Sequence, residues 1–171
     1  MRAVRVERLV LEPQTVAHAE EMFRVLSDPA IYEYENKAPA SLEWLRERYR
    51  KLETRRSPDE SQHWLNWVIR IPDSGLIGYV QATVHPDGRA AIAYELASRF
   101  WGRGLAFVAV QAMIPVLAED YGVRRLSAVF KRPNYRSQRL LERLGFALAS
   151  PALHAELGVE ADELLMVRPV A

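Results

Sequence analysis

Ala90-Ala91-Ile92-Ala93-Tyr94-Glu95-Leu96, then Trp101-Gly102-Arg103-Gly104-Leu105-Ala106, then an apolar run to Ala118 is the stretch that decides the fold. The first segment reads as a strand and the last as a helix. A glycine turn between a strand and a helix leaves backbone N–H groups at the positive end of the helix dipole. Such a turn binds phosphate oxygens. A Gly-x-Gly pair alone is as often a plain tight turn. A second cluster downstream adds weight: Asn134-Tyr135-Arg136-Ser137, then Leu140-Leu141-Glu142-Arg143-Leu144-Gly145-Phe146.

Working outward, Trp64 to Ile71 and Leu76 to Val84 read as strands joined by Pro72-Asp73-Ser74-Gly75. Pro86-Asp87-Gly88 turns into the strand ending near Leu96, which makes an antiparallel meander. Trp64 and Trp67 face opposite sides of their strand. Further upstream, Val4 to Leu11 alternates as one strand would. Thr15 caps a helix to about Ser27, and Asp28-Pro29 ends it. Ser41 opens a second helix with Leu42, Leu45, Tyr49 and Leu52 inward. Downstream, Arg125 to Phe130 is a strand and Ser137 to Leu144 a short helix. Phe146 and Leu164 to Val167 supply the last strands. Pro115 sits deep in the third helix and predicts a kink or an early end there.

The order β-α-α-β-β-β-α-β-α-β-β predicts an α/β (α+β) class with a mixed central sheet of six to seven strands. No linker or repeat interrupts it, so a single domain over 1–171 is expected. The chain has 171 residues, enough for a sizeable core. Lys and Arg number 23 against 22 Asp and Glu, a net charge of +1. A nucleic-acid partner usually demands a more basic chain, so none is expected. Cysteine is absent, which removes a disulfide framework, thiolate metal ligation and a cysteine nucleophile. The four histidines lack metal-ligand spacing, so no metal is expected. Neither a signal peptide nor a bilayer-spanning run is present, so a cytoplasmic location and no membrane partner are expected.

The two clusters together resemble the acyl-CoA signature of the GNAT N-acetyltransferases. Gly104 and Ala106 match its glycine loop, and Asn134 with Ser137 matches its Asn-x-x-Ser segment ending in Gly-Phe. Glu7 to Pro13 resembles the first strand of the Rim-type branch, the ribosomal-protein N-terminal acetyltransferases. That resemblance implies a GNAT fold whose fourth and fifth strands splay around the acyl-CoA. It implies acetyl-CoA (coenzyme A) as cofactor, with the amides of Gly102, Arg103, Gly104, Leu105, Ala106 and Phe107 at the pyrophosphate and Trp101 packed under the loop as its anchor. Leu96 would offer its N–H to the thioester carbonyl, and Asn134 would touch the pantetheine arm.

Transfer to an amine needs a base for the amine and a donor for the leaving thiolate. Many members place a tyrosine as acid where this chain has Leu141. In the Rim-type branch a serine acts instead, which implies Ser137, with Tyr135 in reserve. A glutamate before the last strand implies Glu156 as base, with Glu160 close by. Glu95, beside the expected thioester, is the other candidate. Tyr32, Tyr34 and Trp44 are expected at the acceptor cleft.

The absence of cysteine points to direct transfer in a ternary complex. The acceptor amine stays open between a protein N-terminus and an antibiotic, polyamine or amino acid. A homodimer also stays open. The rival reading is a non-catalytic acyl-CoA-binding sensor module.

Overall fold

The computed structural model describes residues 1–170. The N-terminal segment is a hairpin of β1 (Val4–Val6) and β2 (Leu9–Pro13), not the single strand expected. Glu7 and Arg8 form its turn. Two charged residues carry none of the usual Asn-Gly turn signal, and the alternation of Val4, Val6, Leu9 and Leu11 slips by one across them.

The meander follows the expectation: β3 (His63–Ile71), β4 (Gly75–Val84) and β5 (Arg89–Leu96) pair antiparallel in sequence order. Trp67 is fully buried and its indole N–H donates to the Arg2 carbonyl, while Trp64 is half-buried on the other face. Next, β6 (Arg125–Lys131) pairs parallel to β5, and β8 (Glu163–Pro169) lies between β6 and β7 (Ala147–Leu148). The sheet therefore has eight strands, in the order β1-β2-β3-β4-β5-β6-β8-β7, rather than six or seven.

Helices cover both faces. On one, Thr15 leads through a 3-10 turn into α1 (Ala19–Val25), and α2 (Leu42–Leu52) follows. The Ser41 hydroxyl caps α2 by accepting from the Trp44 N–H, and Leu45 and Tyr49 are its buried residues. On the other face lie α3 (Leu105–Tyr121) and α4 (Tyr135–Arg143). A short fifth helix, α5 (Pro151–Glu156), occupies what was expected to be loop.

Pro115 does not end α3 early; the helix runs through it to Tyr121. Pro115 and Gln111, whose carbonyl loses its i+4 donor, are both exposed. Water can serve that carbonyl, so the proline falls where its missing hydrogen bond costs least.

Candidate active site

The site begins where β5 and β6 part. Their parallel register holds only Arg89↔Arg125, Ala90↔Leu126 and Ala91↔Ser127. Beyond Ala91, β5 pairs with β4 alone. Alternate residues of a strand send their N–H and C=O to opposite edges. The Ala97 N–H reaches β4 at the Ile77 carbonyl, 2.9 Å away. Leu96 therefore faces the open edge, and its carbonyl accepts from the Trp101 indole at 2.8 Å. The Leu96 N–H points into the same gap.

A cleft of about 330 Å³ fills that gap. Its lining includes Leu96, Trp101, Gly102, Gly104, Leu105, Ala106, Phe107, Asn134 and Ser137 from the expected set. At its end the loop turns into α3 through Gly102 (φ +72°) and Gly104 (φ +73°). No atom lies within 4 Å of a Cβ placed on Gly102, and only Arg8 Nη1, at 3.9 Å, approaches one on Gly104. Left-handed backbone, rather than lack of room, is what selects glycine there.

Trp101 is an anchor. Besides bonding Leu96, its ring carries the Arg136 guanidinium at 3.8 Å. Arg103 is not brought to the cleft: its side chain lies over the Phe100 ring, and its carbonyl accepts from Arg8 Nη2 at 3.2 Å. The cations in the cleft are Arg136, Arg139 and Arg143 of α4, with Arg143 stacked over Phe107 at 4.7 Å. Their spacing places them on one helix face, a signal present in the sequence and left unread. Acyl-CoA fits this arrangement, with free amides at the start of α3, guanidinium groups alongside and an unpaired strand edge.

Asn134 caps α4, its Oδ1 accepting from the Ser137 N–H at 3.1 Å, and so holds Ser137 in the cleft wall. The Tyr94 hydroxyl donates to Ser137 Oγ at 3.2 Å. Burial pushes that phenol up to about 12, against the pull of the Ser137 bond. Tyr94 was not anticipated. Strand alternation alone puts it on the face of Leu96, but its contact with Ser137 follows only from the packing of α4 beside β5.

Glu95 lines both this cleft and a second cavity of about 280 Å³ beneath α1 and α2. Burial pushes its carboxyl up to about 7, and Glu35 and Asp28 add to the rise. The Leu96 N–H and Arg136 oppose it. Glu35, also unanticipated, lines the cleft, with its carboxyl raised by burial and by Glu163. Glu156 and Glu160 are exposed, and neither lines either cavity. Glu156 is the last residue of α5. The acceptor trio divides: Tyr32 and Trp44 line the second cavity, and Tyr34 lines the first. Tyr135 is 67% exposed and stands outside both.

Comparison with known proteins agrees with this geometry. The acetyltransferase (GNAT) domain model matches residues 8–147. The uncharacterized N-acetyltransferase YoaA of Bacillus subtilis (strain 168) is 25% identical over 147 residues, covering 84% of this chain and 81% of that protein. The uncharacterized N-acetyltransferase p20 of Bacillus licheniformis is 26% identical over 149 residues, 85% and 83% of the two chains. Among solved structures, RimL, a ribosomal L7/L12 alpha-N-protein acetyltransferase in complex with coenzyme A, shares the fold with a TM-score of 0.83. Its identity is 17%, over 99% of this chain and 98% of that one. A GnaT-family acetyltransferase from Bordetella pertussis gives a TM-score of 0.76 at 26% identity, over 98% and 99%. No helix among the described residues is long and apolar enough to cross a membrane.

Proposed function

The chain belongs to the GNAT acetyltransferase family, and on that premise we propose that it moves an acetyl group from acetyl-CoA to a primary amine within one ternary complex. The acceptor class includes a protein N-terminal α-amine and small amines. The observation that carries this reading is Glu95, a raised carboxyl standing where the open β5–β6 cleft meets a second cavity.

When bound, acetyl-CoA supplies an activated thioester. The chain's own residues do the rest. Amides at the start of α3 and the arginines of α4 hold the phosphates. The Leu96 N–H donates to the thioester carbonyl oxygen and stabilises the negative charge that grows there. Glu95, with its pKa near neutrality, takes the proton of the incoming amine, directly or through water. Ser137, its Oγ already accepting from Tyr94, has its own proton free to give to the departing sulfur. The absence of cysteine supports direct transfer.

The test is thiol release from acetyl-CoA across peptides, amino acids, polyamines and aminoglycosides, against an acceptor-free blank. Release above blank with any amine class is expected. Tight CoA binding with no release from any class would replace this reading with a binding module.

A further inference from the structure

The second cavity has a charge order of its own. At its rim stand Lys37 of the α1–α2 connector and Arg48 of α2. Neither forms an ion pair among the described residues, although Arg46, Arg50 and Lys51 beside them bind Glu43 or Glu47. In the wall lies Gln14, only 4% exposed. At the inner end is Glu95, the one carboxylate lining this cavity. Tyr32, Tyr49 and Tyr79 give aromatic walls between the two ends.

A ligand that fits this order carries a cationic amine at one end and anionic oxygen at the other. A polyamine would set its distal charge against Lys37 and Arg48, with no second carboxylate to receive it. We infer that the acceptor is a primary amine bearing its own nearby carboxylate, with the amine at Glu95 and the carboxylate received by Arg48 and Lys37. The inference rests on the transferase reading above and names the substrate class of that site. Two sources offer this chemistry: a free amino-carboxylate, or the acidic first residue of a polypeptide.

The experiment is calorimetric titration of the CoA-loaded protein with matched amines, followed by turnover on the same set. The free arm holds glycine, β-alanine and γ-aminobutyrate, each against its carboxamide. The peptide arm holds an Asp-first pentapeptide against its Asn-first isostere. Spermidine is the cationic control. At least one carboxylate is expected to bind about tenfold tighter than its amide, the scale of a desolvated charge contact, with spermidine weakest. Arg48→Gln, on the exposed face of α2, is expected to shrink that ratio to about twofold while leaving the acetyl-CoA KM in place. Preference in the free arm alone names a small molecule, and preference in the peptide arm alone names an acidic N-terminus.

Equal affinity within every pair, tightest binding of spermidine, or an Arg48→Gln ratio unchanged from wild type would overturn the inference. Turnover of amides and carboxylates alike would remove it and leave the transferase standing. Carboxylate-selective binding with no thiol release would keep the pocket assignment and remove the transferase.

Discussion

At Ala90 and Ala91, β5 is paired with β4 on one side and β6 on the other; from Ile92 to Leu96 it keeps β4 alone. The closed half spends its backbone groups on the sheet. The open half keeps an edge that no strand pairs, where the Leu96 carbonyl takes the Trp101 indole instead. The β4 side is held tightly: a Cβ on Gly78 would collide with the Glu95 carbonyl oxygen, so β4 approaches there as only a glycine allows. The difference teaches how one strand serves both as structure and as site. Stability comes from the paired half, and the proposed reaction draws on the backbone and carboxylate that pairing leaves free.

The largest expected effect lies at the far end of the open half. Gly104→Glu puts bulk and negative charge where the phosphates would sit and forces a side chain into left-handed backbone. Acyl-CoA affinity is expected to fall by about a hundredfold or more in calorimetry, since it loses favourable charge and gains repulsion. Gly104→Ala isolates the backbone strain, on the order of 1 kcal/mol, and should cost about tenfold at most. Unchanged affinity in the glutamate variant would break the assignment of the open half to acyl-CoA.

Glu95→Gln should lower kcat by about a hundredfold, the scale of a lost general base. The base works ionised, so wild-type kcat/KM should rise as pH climbs through about 7, and the variant should lose that limb. Stability should move the other way. A folded carboxyl raised above its ordinary value carries no penalty below that ordinary value. The penalty grows as pH rises towards about 7 and is complete above it. Denaturant titration should find the glutamine variant more stable at pH 8, by on the order of 2 kcal/mol, and equal to wild type near pH 4. A variant less stable at pH 8 would mean that the open half is not strained by its carboxylate.

The sheet half of this comparison was legible in the sequence, and the site half only in part. Turn residues at Pro72–Gly75 and Pro86–Gly88 announce the meander, and Gly102 and Gly104 announce the phosphate loop, because each rests on local backbone chemistry. Asn134 and Ser137 were reached through the family resemblance, and the cap that Asn134 makes on the Ser137 N–H is the local feature that accompanies it. Glu95 stood second to Glu156 as candidate base, since only the register of β5 against β4 shows which face a strand side chain takes. Gln14, Arg48 and Tyr79 meet in space from three distant segments, and nothing local in the sequence brings them together. The Glu7–Arg8 turn and α5 were missed for the opposite reason: the local signal at the turn is weak, and tertiary packing decides both.

The donor pair gives a smaller effect. Ser137→Ala should reduce kcat by about tenfold, the low end for proton transfer, because a thiol of pKa about 8.5 leaves with little help. Tyr94→Phe removes the hydrogen bond that orients Ser137 and should cost less. If the two hydroxyls form one relay, the double variant should match Ser137→Ala, a non-additivity that a double-mutant cycle measures. Additive losses would separate Tyr94 from the chemistry and make it a packing residue of the open half.

Glu156→Gln should do least. Glu156 is exposed on α5 and borders neither cavity, and a solvated carboxylate there has no path to the amine that Glu95 does not offer more directly. Turnover within about twofold of wild type is expected, since exposed charges contribute little, with the limb near pH 7 intact. The informative contrast is the pH profile rather than the rate alone. A loss at Glu156 that leaves the limb in place would point to an acceptor held by α5, so the site would extend beyond the cleft. A loss that also erases the limb would move the base from β5 to α5. The open half of β5 would then supply backbone donors only, and the raised carboxyl of Glu95 would be a consequence of the fold with no part in catalysis.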